Sequence, residues 1–280
     1  MSGTLQLPAP TWFVGCGNLG GAIIEGWRTG GMDVGSVTVI RPSGKQVEGT
    51  RTVARLAEAG PPPRLAVLGF KPQKLDEIAR ELRQHLSAKT VVVSLLVGVE
   101  AASIRQRFPG VQAVVRALPN IPVTVRRGVT GLYSEDADQN VRQQVNDLFS
   151  ALGFTMWMAD EAKVAAVGSV AGAGPAYVAR FIAALTKAGQ QRGLTAEIAA
   201  VIARETVLGT AWLAAGSGVD MDSIAKRVAS PKGTTEAGLA VLDGEGALDD
   251  LIAATINAAA ARGAELAAEA RELAESSRLA

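Results

Sequence analysis

The chain has 280 residues, a formal net charge of +1, one cysteine and one histidine. That length suits one or two domains with a substantial core, and so small a net charge gives no global attraction to nucleic acid or acidic membranes. A single cysteine excludes an internal disulfide framework, and a single histidine sets aside a histidine-rich metal site.

In chain order, Met1 to Pro10 lacks a basic segment followed by an apolar run, so no signal peptide is expected and the protein reads as cytoplasmic. The first half then alternates two periodicities. Short β-rich runs occupy Thr11–Val14, Val37–Ile40, Leu65–Phe70, Thr90–Leu96, Ala113–Val115 and Val129–Tyr133. Helical spacing fills Leu19–Arg28, Leu75–His85, Ala101–Arg107 and Asn140–Leu152. Strands alternating with helices predict a mostly parallel sheet with crossovers. The longest apolar runs, such as Thr90 to Val99, are too short to cross a bilayer and read as buried strands.

From about Glu161 onward alanine dominates and helical spacing continues, broken at Gly172–Pro175, Gly193, Gly216–Gly218, Pro231–Gly233 and Gly244–Gly246. The expected organisation is therefore an α/β domain over residues 1–160 and an all-helical domain over residues 161–280. Ala247 to Ala280 reads as an alanine-rich packed helix with a solvated charged face, and its small residues would also permit close approach of a second chain.

Three stretches point to chemistry. "WFVGCGNLGGAII" joins the first strand to the first helix, and Gly15, Gly17 and Gly20 have the spacing of a dinucleotide fingerprint. Gly15 suits the tight turn, Gly17 lets backbone approach a pyrophosphate, and Gly20 lets helix and sheet come close, with the helix N-terminus facing the anion. Packing alone also produces glycine-rich turns, but the strand–turn–helix context favours a Rossmann-type cofactor site. The second strand runs into "RPSGK", where an NAD enzyme often carries an acid for the ribose. Arg41, Ser43 and Lys45 instead offer two cations and a hydroxyl, which suits a 2′-phosphate and favours NADPH over NADH, unless the loop is simply a solvated basic turn.

Other catalytic groups are scarce. His85, in "ELRQHLS", reads as a helix-surface residue, Cys16 as a small packing residue, and the acids form no paired cluster. Hydride transfer needs none of these, because the nicotinamide carries the difficult chemistry. "VASPKGTTEAGLAVL" supplies the polar groups such a reaction would use: Ser230, Thr234 and Thr235 with exposed backbone amides, and Gly233 allowing close approach. A plain helix start, with serine as cap and proline in the first turn, remains an equal reading of those residues alone.

Taken together, the motifs resemble pyrroline-5-carboxylate reductase, which makes proline from its cyclic imine with NAD(P)H. The resemblance spans nearly the whole chain, through "FVGCGNLGGAI", "FKP" at Phe70–Pro72, "VSLLVGV" at Val93–Val99, "RALPNIPV" at Arg116–Val123, "GAGPAYV" at Gly172–Val178 and "SPKGTTEAGL" at Ser230–Leu239. It implies that the glycine loop with Asn18 and Leu19 holds the pyrophosphate, and that the Arg41–Ser43 region holds the 2′-phosphate. Lys71 and Pro72 would lie along the cofactor, with Val97, Gly98, Pro119 and Asn120 near the nicotinamide. Ser230, Lys232, Gly233 and Thr234 would line the substrate loop, and Thr235, the implied catalytic residue, would hydrogen-bond the ring nitrogen. The resemblance also implies a homodimer through the helical domain, with decamers as the further assembly, a small-molecule substrate and no metal.

Departures from the family pattern keep two further readings in play. Lys232 replaces a glycine, Ala173 replaces a serine, Ile121 a threonine, and Leu95, Leu96 and Val97 are bulkier than usual. The bulk suggests a reductase of a related cyclic imine or keto acid. Ala173 and Lys232 suggest a non-catalytic NADP-binding oligomeric member. Pro42 to Glu48 is also too short for the usual helix after the second strand, which predicts a more open adenosine site.

Overall fold

The computed structural model describes residues 6–279, with side chains through residue 269. Eight strands form one sheet: β1 (Thr11–Val14), β2 (Val37–Ile40), β3 (Arg51–Val53), β4 (Leu65–Leu68), β5 (Val91–Ser94), β6 (Ala113–Pro119), β7 (Gly128–Tyr133) and β8 (Gly153–Trp157). Their order is β3-β2-β1-β4-β5-β6-β7-β8. Every neighbouring pair is parallel except β6 and β7.

The central strands are apolar without interruption because both faces are covered. Phe13, Val39, Val67, Val93 and Val115 enter one core with Ile23 and Trp27 of α1 (Asn18–Thr29) and Val145 and Phe149 of α4 (Gln139–Ser150). The alternate residues Trp12, Val14, Ala66, Leu68, Val92 and Val114 enter the other, with Leu75 and Leu82 of α2 (Leu75–Leu82) and Ile104 of α3 (Ala101–Arg107). The chain steps outward from β1 through β3, then resumes on the other side at β4. The switch point between β1 and β4 leaves a crevice at the carboxyl ends of these strands.

Two strands were not expected from sequence. β3 has three residues with none buried, and β8 lies at the sheet edge with no fully buried residue, so neither shows a strong apolar pattern. His85 also differs from expectation. It lies beyond the end of α2 and packs its ring 5.8 Å from that of buried Trp12.

The rest is helical: α5 (Glu161–Val167), α6 (Gly174–Gln191), α7 (Ala196–Ser217), α8 (Met221–Val228), α9 (Thr234–Asp243) and α10 (Ala247–Leu279). Asp160, Thr195 and Asp220 cap α5, α7 and α8 by accepting from backbone N–H groups of Lys163, Ile198 and Ser223. Gly172–Pro175 is not the break its composition suggests. A π-helical segment, Gly168–Gly172, carries the chain from α5 into α6, whose first turn accommodates Pro175.

The chain forms two compact units. One runs up to Ala173 and includes the chain from Ala259 on; the other is Gly174–Ala258. Compactness thus groups α5 and the π segment with the sheet. In the second unit, α6 and α7 approach through small residues: a methyl added at Gly189 would lie 3.3 Å from Ala199 Cβ. Ala199 and Ala203 are buried, whereas Ile198, Ile202, Leu208 and Trp212 are exposed. The 22-residue α7 is long and apolar enough to cross a membrane by length and composition, with 11% of its apolar window buried. Its apolar character is an average, 1.4 in mean hydropathy, since Arg204 and Glu205 interrupt it, so it differs from an unbroken run such as Thr90–Val99.

Candidate functional site

The crevice at the switch point holds a cavity of about 490 Å³. Eight residues singled out by sequence line it: Gly15, Gly17, Asn18, Leu19, Gly20, Arg41, Ser43 and Lys71. The loop geometry follows from glycine. Gly15 has φ +76°, and a Cβ there would stand 2.7 Å from Phe70 Cβ, so the loop can reach the β4 end only without a side chain. At Gly20 a methyl would meet the Phe13 ring at 2.9 Å, which seats α1 on the sheet. Around Gly17 nothing lies within 4 Å of the same position, leaving room for a ligand.

Gly17 is the N-cap of α1, with no side-chain cap and no acid in the first turn. Among the described residues no side chain caps the first N–H groups of the helix, which border the cavity and favour an anion. Gly44 donates to the Arg41 carbonyl at 2.9 Å, closing the turn that brings Arg41 and Ser43 to the cavity rim. Among the described residues Arg41 has no carboxylate partner in an ion pair. Burial pushes the Cys16 thiol up from its ordinary range, and the nearby Arg41 charge opposes this. A thiol held protonated beneath the loop is a packing group. No helix stands between β2 and β3, which leaves the rim open on that side.

The remaining sequence-selected residues do not line this cavity. Lys71 leads into Pro72, which opens a 3-10 turn before α2. Val97 is 52% exposed, and Gly98, at φ +78°, lies against α10, where a methyl would be 3.1 Å from the Ala267 nitrogen. Pro119 and Asn120 are buried at the end of β6. Both ends of the Asn120 amide are engaged: Oδ1 accepts from Val129 N–H at 2.8 Å, and Nδ2 donates to the Ala171 carbonyl at 2.9 Å. Of the bulky trio, only Leu95 lines the cavity; Leu96 is buried in the opposite core. Sequence reading did not single out Phe70 and Gly69 as lining residues, although Phe70 stands in a quoted motif; Pro42 lies within the Arg41–Ser43 region it did select.

In the second unit, Ser230 to Gly233 form a tight turn closed by Gly233 N–H on the Ser230 carbonyl at 2.9 Å. Pro231 suits its second position, while its third is left-handed and here holds Lys232 at φ +58°. Glu236, in the first turn of α9, accepts from Lys232 N–H at 2.6 Å. Gly233 caps the helix without a side-chain bond, so the amides of Thr234 and Thr235 emerge at an exposed N-terminus beside the Ser230 hydroxyl. The five candidate substrate residues thus lie together on this turn and the first two residues of α9.

Comparison with known proteins adds to this geometry. The sequence model described as pyrroline-5-carboxylate reductase dimerisation matches residues 161–266, and one for a CoA binding domain matches residues 27–116, the sheet from the end of α1 to β6. The pyrroline-5-carboxylate reductase of Pseudomonas aeruginosa is 35% identical over 263 residues, covering 91% of this chain and 96% of that protein. The chain belongs to the pyrroline-5-carboxylate reductase family. A family member from Synechocystis is 38% identical over 203 residues, covering 71% of this chain and 74% of its own length. The structure of a pyrroline-5-carboxylate reductase from Coxiella burnetii superposes with a TM-score of 0.83 at 30% identity, over 93% of this chain and 99% of that one. The Plasmodium falciparum enzyme, solved with NADP bound, shares the fold at TM-score 0.83 and 21% identity, over 92% and 98% of the two chains. The dimerisation match runs from the start of α5 into α10 and includes α6 and α7, where large apolar side chains are exposed.

Proposed function

We propose that this protein reduces 1-pyrroline-5-carboxylate to L-proline with NADPH as hydride donor. The observation that carries this reading is the carboxylate-free cavity at the β1–β4 switch point, in a chain of this family. Unpartnered amides of α1, the open space at Gly17 and the unpaired Arg41 together fit a dinucleotide diphosphate and an adenosine 2′-phosphate. The nicotinamide, when bound, supplies the hydride.

The chain's own residues bind and orient. The glycine loop with Asn18, Leu19 and Lys71 holds the cofactor, Arg41 and Ser43 select the phosphorylated form, and Pro72, Val97, Gly98 and Pro119 border the ring. NADH would bind the same cavity without the contact to Arg41. At the Ser230–Thr235 turn, the amides of Thr234 and Thr235 and the Ser230 hydroxyl take the substrate carboxylate, while Thr235 Oγ1 hydrogen-bonds the ring nitrogen. Reduction of a protonated imine forms a carbon–hydrogen bond and turns C=N⁺ into a secondary amine, so no strong acid or base is required at the nitrogen. The functional division falls near residue 160, where the dimerisation match begins. A second copy, rather than lipid, covers the apolar faces of α6 and α7, giving a cytoplasmic homodimer that can assemble to a decamer.

The test is purified protein with NADPH and the imine. Substrate-dependent loss of NADPH absorbance with proline as product is expected; NADPH binding without turnover on any imine would overturn the reading. Leu95 at the cavity edge supports one alternative, a larger cyclic imine, and preference for a six-membered ring in a substrate panel would favour it.

A further inference from the structure

We infer that Asn120 is a positioning residue: it fastens the end of the α5–π segment to β6 and so holds Gly172 and Ala173, the start of the Gly172–Val178 motif, in place for the reaction. The role rests on the reductase reading for its catalytic consequence, but its geometry stands within the first unit alone.

Arg116, Leu118 and Asn120 alternate along β6 and its continuation, so their side chains leave the same side of the strand. Each meets the helical segment at a later point. Arg116 Nη1 donates to Glu161 Oε1 at 2.7 Å, at the first residue of α5. Leu118 Cδ1 stands 3.2 Å from where a Cβ on Gly168 would be, at the start of the π segment. Asn120 Nδ2 donates to the Ala171 carbonyl at 2.9 Å, one residue before that segment ends. Glu161 Oε1 also accepts from Ala101 N–H at 2.7 Å, tying the same point to α3. The segment is therefore pinned at its beginning, middle and end.

Asparagine is the side chain this position requires. Its oxygen must accept from Val129 N–H and its nitrogen must donate to a carbonyl, so an ionised aspartate could meet only the first need. The residue is 7% exposed, and an unmade hydrogen bond there has little access to water. π segments are rare and gather at functional positions, where the wider turn alters how carbonyls are presented. Here the altered carbonyl is held by a strand residue 51 positions earlier. Both ends of the Asn120 amide are bonded to backbone, so neither is left to hold the cofactor, and its loss should disturb the motif and spare NADPH.

The experiment compares Asn120→Asp and Asn120→Ala in the full chain, by amide hydrogen exchange and by steady-state kinetics. Asn120→Asp keeps the acceptor for Val129 and removes the donor to Ala171. Exchange over residues 168–177 should accelerate about tenfold in both variants, and Val129 exchange only in Asn120→Ala. The KM for the imine should rise or kcat fall by about tenfold, with NADPH affinity within about twofold of the parent. Unchanged exchange over 168–177 in Asn120→Asp would overturn the strap, and so would an NADPH affinity that falls in step with activity, since Asn120 would then touch the cofactor. Should the carboxylate prevent folding, Asn120→Ala decides alone: unchanged exchange over residues 168–177 in that variant would overturn the strap. A parent protein inactive on the imine would remove the reductase reading, while the exchange measurements would still decide the strap.

Discussion

Replacing Gly17 with alanine separates cofactor binding from folding. Gly17 caps α1 with φ −89°, a conformation open to any residue, and nothing lies within 4 Å of the added methyl. The folding cost is the difference between glycine and alanine at an N-cap, about 0.5 kcal/mol. The methyl would, however, stand where the first helix amides point. Displacing the diphosphate from one or two charge-assisted hydrogen bonds costs about 1.5–3 kcal/mol, a loss of roughly 10–150-fold in affinity. Gly15→Ala is the contrast. Its methyl must adopt φ +76° and stand 2.7 Å from Phe70 Cβ, so left-handed strain of about 1–2 kcal/mol adds to overpacking of about 1–3 kcal/mol. NADPH titration by fluorescence and thermal unfolding of both variants check this. An NADPH affinity for Gly17→Ala within twofold of the parent, at unchanged stability, would refute the placement of the diphosphate.

Arg41→Ala should weaken NADPH by about 10–100-fold and leave NADH nearly unaffected, from loss of a charge-assisted contact; Kd values for both cofactors test it. Thr235→Val should lower kcat by about tenfold with NADPH affinity preserved, and an unchanged rate would remove its hydroxyl from the reaction. Lys232→Gly relieves a left-handed lysine at φ +58° and should leave stability within about 1 kcal/mol of the parent, strain relief offsetting the greater freedom of unfolded glycine; urea unfolding measures it. The backbone N–H and hydroxyl of Ser223 hold the Asp220 carboxyl below its ordinary value of 3.8. A depressed native pKa stabilises the fold above the unfolded value, and that contribution disappears as pH falls from about 4 through the lower native value. Asp220→Asn, which keeps the cap, should flatten the acid limb of the stability curve.

Most of the sheet and the whole glycine loop were legible because one physical constraint fixed each. Strands covered on both faces must be continuously apolar, and a loop position where a Cβ would stand 2.7 Å from Phe70 Cβ must be glycine. β3 and β8 escaped because short or half-exposed edge strands carry little pattern. The helical run across Gly172–Pro175 escaped because glycine and proline signal a break by composition, whereas a π turn and a first-turn proline tolerate both. Glu161 as the partner of Arg116 and Ala171 as a partner of Asn120 were out of reach, since each lies more than 40 residues away and helical or strand spacing speaks only of near neighbours. Arg41 and Ser43, which line the cavity, drew attention because an absence, the missing acid after β2, is itself visible in a sequence.

The inverted dress of α7, with alanines turned inward and Ile198, Ile202, Leu208 and Trp212 outward, ties survival of the fold to encounter. Mass action then governs endurance: dilution should lower the melting temperature, and newly made chains should be at their most vulnerable before meeting a sister copy.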